Sequence, residues 1–426
     1  MVAHAGQVAA ELDAGLVAFA TCDWHGLDAW MGALCALAAA SSNAPWNAAW
    51  AVQAFATGLS DEQCAKVVNA RMNALRATLK PIRYPPTPRL ARRRLRVGYL
   101  IDLSGDSWQA ALVAALCNGH ARERFEIFVY AFDHARGGRW RPAIEDAADT
   151  FRPVAHLLPH EAFGLVRCDD IDVLIDVGGV AHDRIAELLL YAPARVHLRP
   201  ACIPGAALDM SVTMPPVLPP GSMVDSGALA GERAIVHAGP GTTLLGCFAG
   251  ASAIGPQSFD AWMRILAGAP DTRLALLEVG EQGRINLQAA MRRANIDPRR
   301  LVYFPCASKR ELPALCRRID VCLDTLGRGD AGFALAARGA GAPLVGPAEG
   351  RLEGMGKYAA HTRTLYIDLA LALCRDPALR SQARADFTRT YAADAQSTFD
   401  AALKRLEEEI VTAYAERASL ASAKGM

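Results

Sequence analysis

No run of the chain approaches the ~20 consecutive apolar residues that a membrane-crossing helix needs. Its start, Met1-Val-Ala-His-Ala-Gly-Gln7, lacks the basic region and apolar core of a secretory signal. The eleven cysteines include no C-x-x-C pair, and the ten histidines show neither H-x-x-x-H nor H-E-x-x-H spacing. A disulfide frame and a zinc site are thereby set aside, and no metal is expected. An excess of one charge is also missing: a formal net charge of +1 argues against nucleic acid or an anionic membrane as the main partner. The basic run Arg89-Leu-Ala-Arg-Arg-Arg-Leu-Arg96 directly precedes a strand, and reads as a solvated linker or, alternatively, a polyanion site. Thiols inside apolar runs, such as Cys117, Cys247 and Cys322, fit a reducing, cytoplasmic setting.

What is present is an ordinary globular composition, 52% apolar and 21% charged, on 426 residues. That length suffices for two or three cores. Residues 1–80 read as an Ala-rich helical region with no 34-residue repeat. One helix, opened by Ser60 and the acidic pair Asp61 and Glu62, carries Cys64, Val67, Val68, Met72, Leu75 and Leu79 on one face. Residues 81–94, rich in proline and arginine, read as a linker. Apolar strands then alternate with helices: 95–101, 125–131 and 171–177 in one stretch, 243–248, 272–279, 301–304 and 321–323 in another. Such near-continuous strands imply parallel sheets covered on both faces. The expected fold is α/β with a first Rossmann-like domain over 95–225 and a second, nucleotide-binding one over 226–390. A C-terminal helical segment, 391–426, completes the chain, with Phe399, Leu403, Leu406, Ile410 and Tyr414 on one stripe.

The segment Val321 to Val345 is the most telling. It reads as a buried strand, a Gly-rich turn (Gly327 to Gly332), a small-residue helix and a second strand. A turn of this kind aims backbone N–H groups and a helix dipole at one point, which suits a diphosphate. Asp324, Arg328, Gly329 and Gly332 are the candidate nucleotide-side residues. Arg328 could reach a phosphate with bidentate geometry, and is equally readable as a surface arginine paired with Asp330 or Glu349. Asp176 and Asp324 end strands on the side where α/β ligands bind, and are equally readable as turn caps. The spacing Gly327-x-Gly329-x-x-Gly332 leaves a dinucleotide-binding oxidoreductase as a distant alternative.

Several ordered matches carry a resemblance to a known family. Leu95-Arg-Val-Gly-Tyr-Leu-Ile-Asp102 is similar to L-R-V-G-Y-V-S-x-D, and Phe125-Glu-Ile-Phe-Val-Tyr130 to F-E-V-F-x-Y. Asp172 to Gly179, Ala192-Pro-Ala-Arg-Val196 and Ile203-Pro-Gly205 follow in the order of a third block. Gly246-Cys-Phe248, Ala253-Ile-Gly-Pro256 and Trp262 follow G-C-F-N-x-x-x-K-I-x-P and its tryptophan. Arg317 to Thr325 is similar to R-R-x-D-I-x-L-D-T. Over about residues 40–415 the chain resembles the C-terminal catalytic region of the O-linked N-acetylglucosamine transferase and SPINDLY family. The resemblance implies a GT-B fold, two Rossmann-like halves facing a cleft, with a UDP- or GDP-sugar as substrate and no metal or other cofactor. It also implies a protein acceptor or protein partner.

The family's functional positions carry over only in part. Asp102 is retained after the first strand, but the two following histidine positions hold Asp106 and Ala110. The lysine of G-C-F-N-x-x-x-K, the main cation on the pyrophosphate, is replaced by Ala253. The hydroxyl-bearing turn is replaced by Ala331, Gly332 and Phe333. Lys309 falls where the family has its nucleotide-side lysine. His182 and Asp106 are the remaining candidates for acid–base work, and His182 reads equally as a solvated loop histidine. The resemblance therefore implies a divergent transferase with eroded catalytic residues, or a non-catalytic relative serving as a partner subunit.

Overall fold

The computed structural model describes residues 2–40, 46–54, 57, 59–79, 94–103, 107–132, 138–178, 183–200, 210–212, 214–215, 218, 241–305, 311–327, 331–348 and 356–423. The expected linker lies outside them except for Arg94. Helices α1 (Val2–Ala20), α2 (Leu27–Ala39), α3 (Ala48–Ala54) and α4 (Asp61–Thr78) open the chain. The first α/β run is β1 (Leu95–Asp102), α5 (Trp108–Gly119), β2 (Phe125–Phe132), α6 (Arg141–Ala147), β3 (Thr150–Pro153), α7 (Pro159–Cys168), β4 (Val173–Asp176), α8 (Asp183–Leu190), β5 (Val196–Pro200) and β6 (Met210–Val212). The second is β7 (Thr243–Cys247), α9 (Pro256–Gly268), β8 (Thr272–Leu277), α10 (Gly280–Arg293), β9 (Leu301–Phe304), α11 (Leu312–Arg317), β10 (Val321–Leu323), α12 (Ala331–Gly339), β11 (Leu344–Pro347) and β12 (Ala359–Ala360). Helices α13 (Arg363–Arg375), α14 (Pro377–Phe387) and α15 (Ala395–Ala423) close it.

The chain forms two compact units. One comprises Ala36–Val52, Asp61–Pro215 and Asp400–Met426; the other comprises Met1–Cys35, Gln53–Ser60 and Pro216–Phe399. The first holds a parallel sheet in the order β3-β2-β1-β4-β5-β6. The second holds β12-β11-β10-β7-β8-β9, which is the same order counted from β7. Both are the strand order of a Rossmann sheet. In the first unit, the stripe of α4 is buried at Cys64, Val67, Val68 and Met72. Arg71 of the same helix is also buried, and its Nη2 donates to Asp183 at the start of α8.

Charges gather at the amino-terminal edge of the first sheet, where they pair with one another. Arg96 Nε donates to Glu126 at 2.9 Å and Arg195 Nη2 lies 2.9 Å from Asp170. Arg152 Nη2 lies 2.9 Å from Asp169, which also accepts from the Tyr130 hydroxyl at 2.8 Å. Arg94 Nη1 stands 3.8 Å from Asp149. The two described arginines of the basic run thus have carboxylates of their own.

Helix α15 packs back through a buried polar chain. The Tyr99 hydroxyl lies 2.7 Å from His120 Nε2, and His120 Nδ1 lies 2.9 Å from Glu407 Oε1. The Ala121 N–H donates to the same carboxylate oxygen at 2.9 Å. In the second unit Gly246 of β7 is demanded by close approach: a Cβ there would stand 2.8 Å from Ile319 Cγ1. Neighbouring Leu245, Cys247 and Phe248 are all fully buried.

Candidate functional site

In a doubly wound sheet the ligand crevice opens beyond the carboxyl ends of the two strands where the order reverses. In the second sheet these are β7 and β10, and in the first β1 and β4. Each candidate site segment of the sequence follows one of these four strands, except Lys309, which follows β9.

Beyond β7 the chain makes a 3-10 turn, Ala251–Ala253. The Ala253 N–H donates to the Gly250 carbonyl at 2.9 Å, and the Ile254 N–H to the Ala251 carbonyl at 3.0 Å. Ala253 brings no charge and no donor beyond its backbone. Beyond β10 the turn is tied from three directions. The Asp324 N–H donates to Val345 in β11 at 2.8 Å, and its Oδ1 accepts from the Thr325 N–H at 2.8 Å. Its carbonyl accepts from the Tyr366 hydroxyl of α13 at 2.8 Å, and that hydroxyl accepts from Trp262 Nε1 of α9 at 3.0 Å. Ser258, near the start of α9, accepts from the Leu326 N–H at 2.8 Å and donates to the Leu326 carbonyl at 3.3 Å. Gly327 follows at a φ of 112°, a conformation favouring glycine.

Helix α12 then points its amino end at this turn, with a positive dipole and its first N–H groups. Gly332 lies in its first turn and is buried. The Phe333 side chain is wholly buried and meets the Phe248 ring edge-on, with centroids 6.0 Å apart. At the position of a hydroxyl in the resembling family, this chain therefore packs a core aromatic. Arg338, near the end of α12, is buried with its guanidinium 5.3 Å from the Tyr391 ring centre. Burial pushes that guanidinium below its ordinary range, and attraction to Tyr391 and Asp324 partly offsets the push.

Asp324 thus directly follows β10, and Gly332 lies in the first turn of α12. Lys309, Arg328 and Gly329 lie outside the described residues, as do His182 and Asp106. The Gly327-x-Gly329-x-x-Gly332 spacing follows the fourth strand of its unit, whereas a dinucleotide fingerprint follows the first. Tyr366 and Ser258 were not foreseen as supports of the turn. An isolated tyrosine within a helical pattern and a serine inside a helix give no signal in one sequence. Among the described residues no group of three or more His, Cys, Asp or Glu is placed to hold a metal ion, and no helix is long and apolar enough to cross a membrane.

Two parallel sheets of Rossmann order, each in its own unit, define an α/β protein of the GT-B glycosyltransferase type. Residues 226–394 match the model of glycosyl transferase family 41. The chain is 22% identical over 267 residues to a probable UDP-N-acetylglucosamine–peptide N-acetylglucosaminyltransferase, SEC, of Arabidopsis thaliana. That match takes in 55% of this chain and 27% of the plant protein, so the chain spans little more than a quarter of that relative's length. A mutant O-GlcNAc transferase of Thermobaculum terrenum superposes with a TM-score of 0.72 at 23% identity, over 95% of this chain and 84% of that one. In sequence over residues 226–394 and in fold over nearly its whole length, the chain is similar to the C-terminal region of the O-linked N-acetylglucosamine transferase and SPINDLY family.

Proposed function

We propose that this protein binds a nucleotide sugar, with UDP-sugars the first choice, at the β7–β10 reversal of its second sheet, and acts on or binds a protein partner with much-weakened transfer chemistry. The observation that carries the reading is twofold: Ala253 stands at the position of the family's lysine, and Phe333 is packed into the core against Phe248. In metal-independent sugar transfer, the departing diphosphate gains charge and needs fixed positive partners aimed at it. The amino end of α12, Arg328 and Lys309 would then supply what attraction there is. Asp324 and Gly332 would shape the turn rather than touch the phosphates through side chains. His182 and Asp106 follow the reversal strands of the first sheet, and would serve the acceptor side if transfer persists. A cytoplasmic location, where buried thiols stay reduced, belongs to the same proposal. A fully non-catalytic subunit is the second reading, favoured by the missing ammonium at position 253.

Calorimetric titration with UDP and UDP-GlcNAc tests the proposal. The wild-type chain is expected to bind UDP weakly, and Arg328→Ala to weaken it further. Ala253→Lys restores a cation and is expected to tighten UDP by about 10- to 100-fold, the range of a charge-assisted hydrogen bond. Micromolar binding with rapid turnover by the wild type would overturn the weakened-transferase reading. Absence of binding at millimolar UDP in both chains would leave the subunit reading standing.

A further inference from the structure

The loop that joins α1 to α2 and the helix α3 converge on the 3-10 turn beyond β7. The Trp24 indole N–H donates to the Ile254 carbonyl at 3.1 Å, and Gln53 Nε2 donates to the Ser252 carbonyl at 3.0 Å. The Cys22 thiol lies 3.9 Å from the Ala251 carbonyl. The Trp24 ring also packs on Phe259 of α9, with centroids 5.4 Å apart. From α10, the helix that follows the neighbouring strand β8, Asn286 donates to the Thr21 carbonyl at 2.9 Å. Cys22 holds a φ of 53°, a left-handed conformation that a non-glycine residue keeps only when its surroundings impose it. All these residues belong to the same compact unit.

We propose that the α1–α2 connection, together with Gln53 near the end of α3, is a positioning strap for the ligand edge of the second sheet, in which Trp24 fixes the carbonyl of Ile254 and Gln53 that of Ser252, and the two so hold the backbone of this turn in its binding orientation. The proposal rests on the nucleotide reading above for its ligand, but the strap itself stands on geometry. A turn without a charged side chain offers a ligand only its backbone and the Ser252 hydroxyl, so its orientation decides what affinity remains. Carbonyls already occupied on one side cannot swing toward an incoming anion and repel it. Trp24, Gln53 and Cys22 are positioning residues in this sense, because they act through the turn.

The test uses the full chain and two conservative variants. Trp24→Phe keeps an aromatic ring against Phe259 and removes the donor; Gln53→Met keeps the length and removes the other. Amide hydrogen exchange over residues 251–256 and UDP affinity are read together with the melting temperature. Each variant is expected to speed exchange in this stretch and to raise the UDP Kd by about 2- to 10-fold, the worth of one hydrogen bond, while the first unit exchanges as before. Faster exchange with unchanged UDP affinity would overturn the positioning role, since a merely structural contact behaves so. Unchanged exchange in both variants would overturn the strap. A wild-type chain without UDP affinity would overturn the nucleotide reading instead, and the strap would then be judged by exchange alone.

Discussion

Arg71 is a guanidinium taken wholly out of water, and its ion-pair partner among the described residues is the half-exposed Asp183. Its Nε and Nη1 have no hydrogen-bond partner among the described residues. Desolvation of such a group is costly, and an apolar side chain of similar volume often does as well. Arg71→Met is therefore expected to shift stability by no more than about 1 kcal/mol. Asp183→Asn should cost about 2 kcal/mol or more, because it strands a buried cation. Urea unfolding midpoints of the two variants decide the point; a larger loss for Arg71→Met would refute it. Glu187, one turn along α8, has its carboxyl raised above the ordinary range by burial and by the nearby Asp183. Buried thiols behave consistently: burial pushes Cys117 up to about 12 and Cys374 up to about 11, which leaves them poor nucleophiles.

At the scale of elements, the docking of α15 turns on Glu407. Burial opposes its ionisation, but hydrogen bonds from His120 and the Ala121 N–H, with the charges of His120 and Arg124, hold its carboxyl below the ordinary 4.5. A folded value below the unfolded one means that the stabilisation is complete above about pH 4.5 and fades as pH falls through the folded value. Glu407→Gln is expected to cost about 1.5–3 kcal/mol near neutral pH. The gap to wild type should narrow as pH falls below about 4.5 and on through the lower folded value. Urea titrations across that range would contradict the clasp if the gap stayed constant. The sequence announced α15 through its apolar stripe, yet could not announce the clasp, because His120 and Glu407 are 287 residues apart. The long apolar strands β1, β2 and β7 were equally legible. Strand β3 was not: Thr150–Pro153 is short, half-exposed and lacks an apolar run. Helices α6 and α7 were missed beside it, and the start of α10 at Gly280 was hidden because a glycine-bearing first turn looks like a loop.

For the molecule as a whole, binding to the folded state alone raises its stability by mass action. At about 100 times its Kd, UDP should add about 2.7 kcal/mol, seen as a rise in Tm that grows with ligand concentration. A Tm that ignores UDP at every concentration would refute nucleotide binding. The two-sheet plan was readable because both halves alternate apolar strands with helices, a pattern that survives loss of individual side chains. The site was readable only as positions, since support from Tyr366 and Ser258 depends on which helices the fold brings beside the turn. The membership of the opening helices was hidden for the same reason. Their apolar faces say that they pack, not on what. Residues Met1–Cys35 share a compact unit with Pro216–Phe399 although some 180 residues intervene. A fragment cut to the family-matched limits, 226–394, would leave the Phe259 face and the carbonyls of Ala251, Ser252 and Ile254 wet. Anyone wishing to express the second-sheet unit alone should graft the opening helices, through Gln53, onto it.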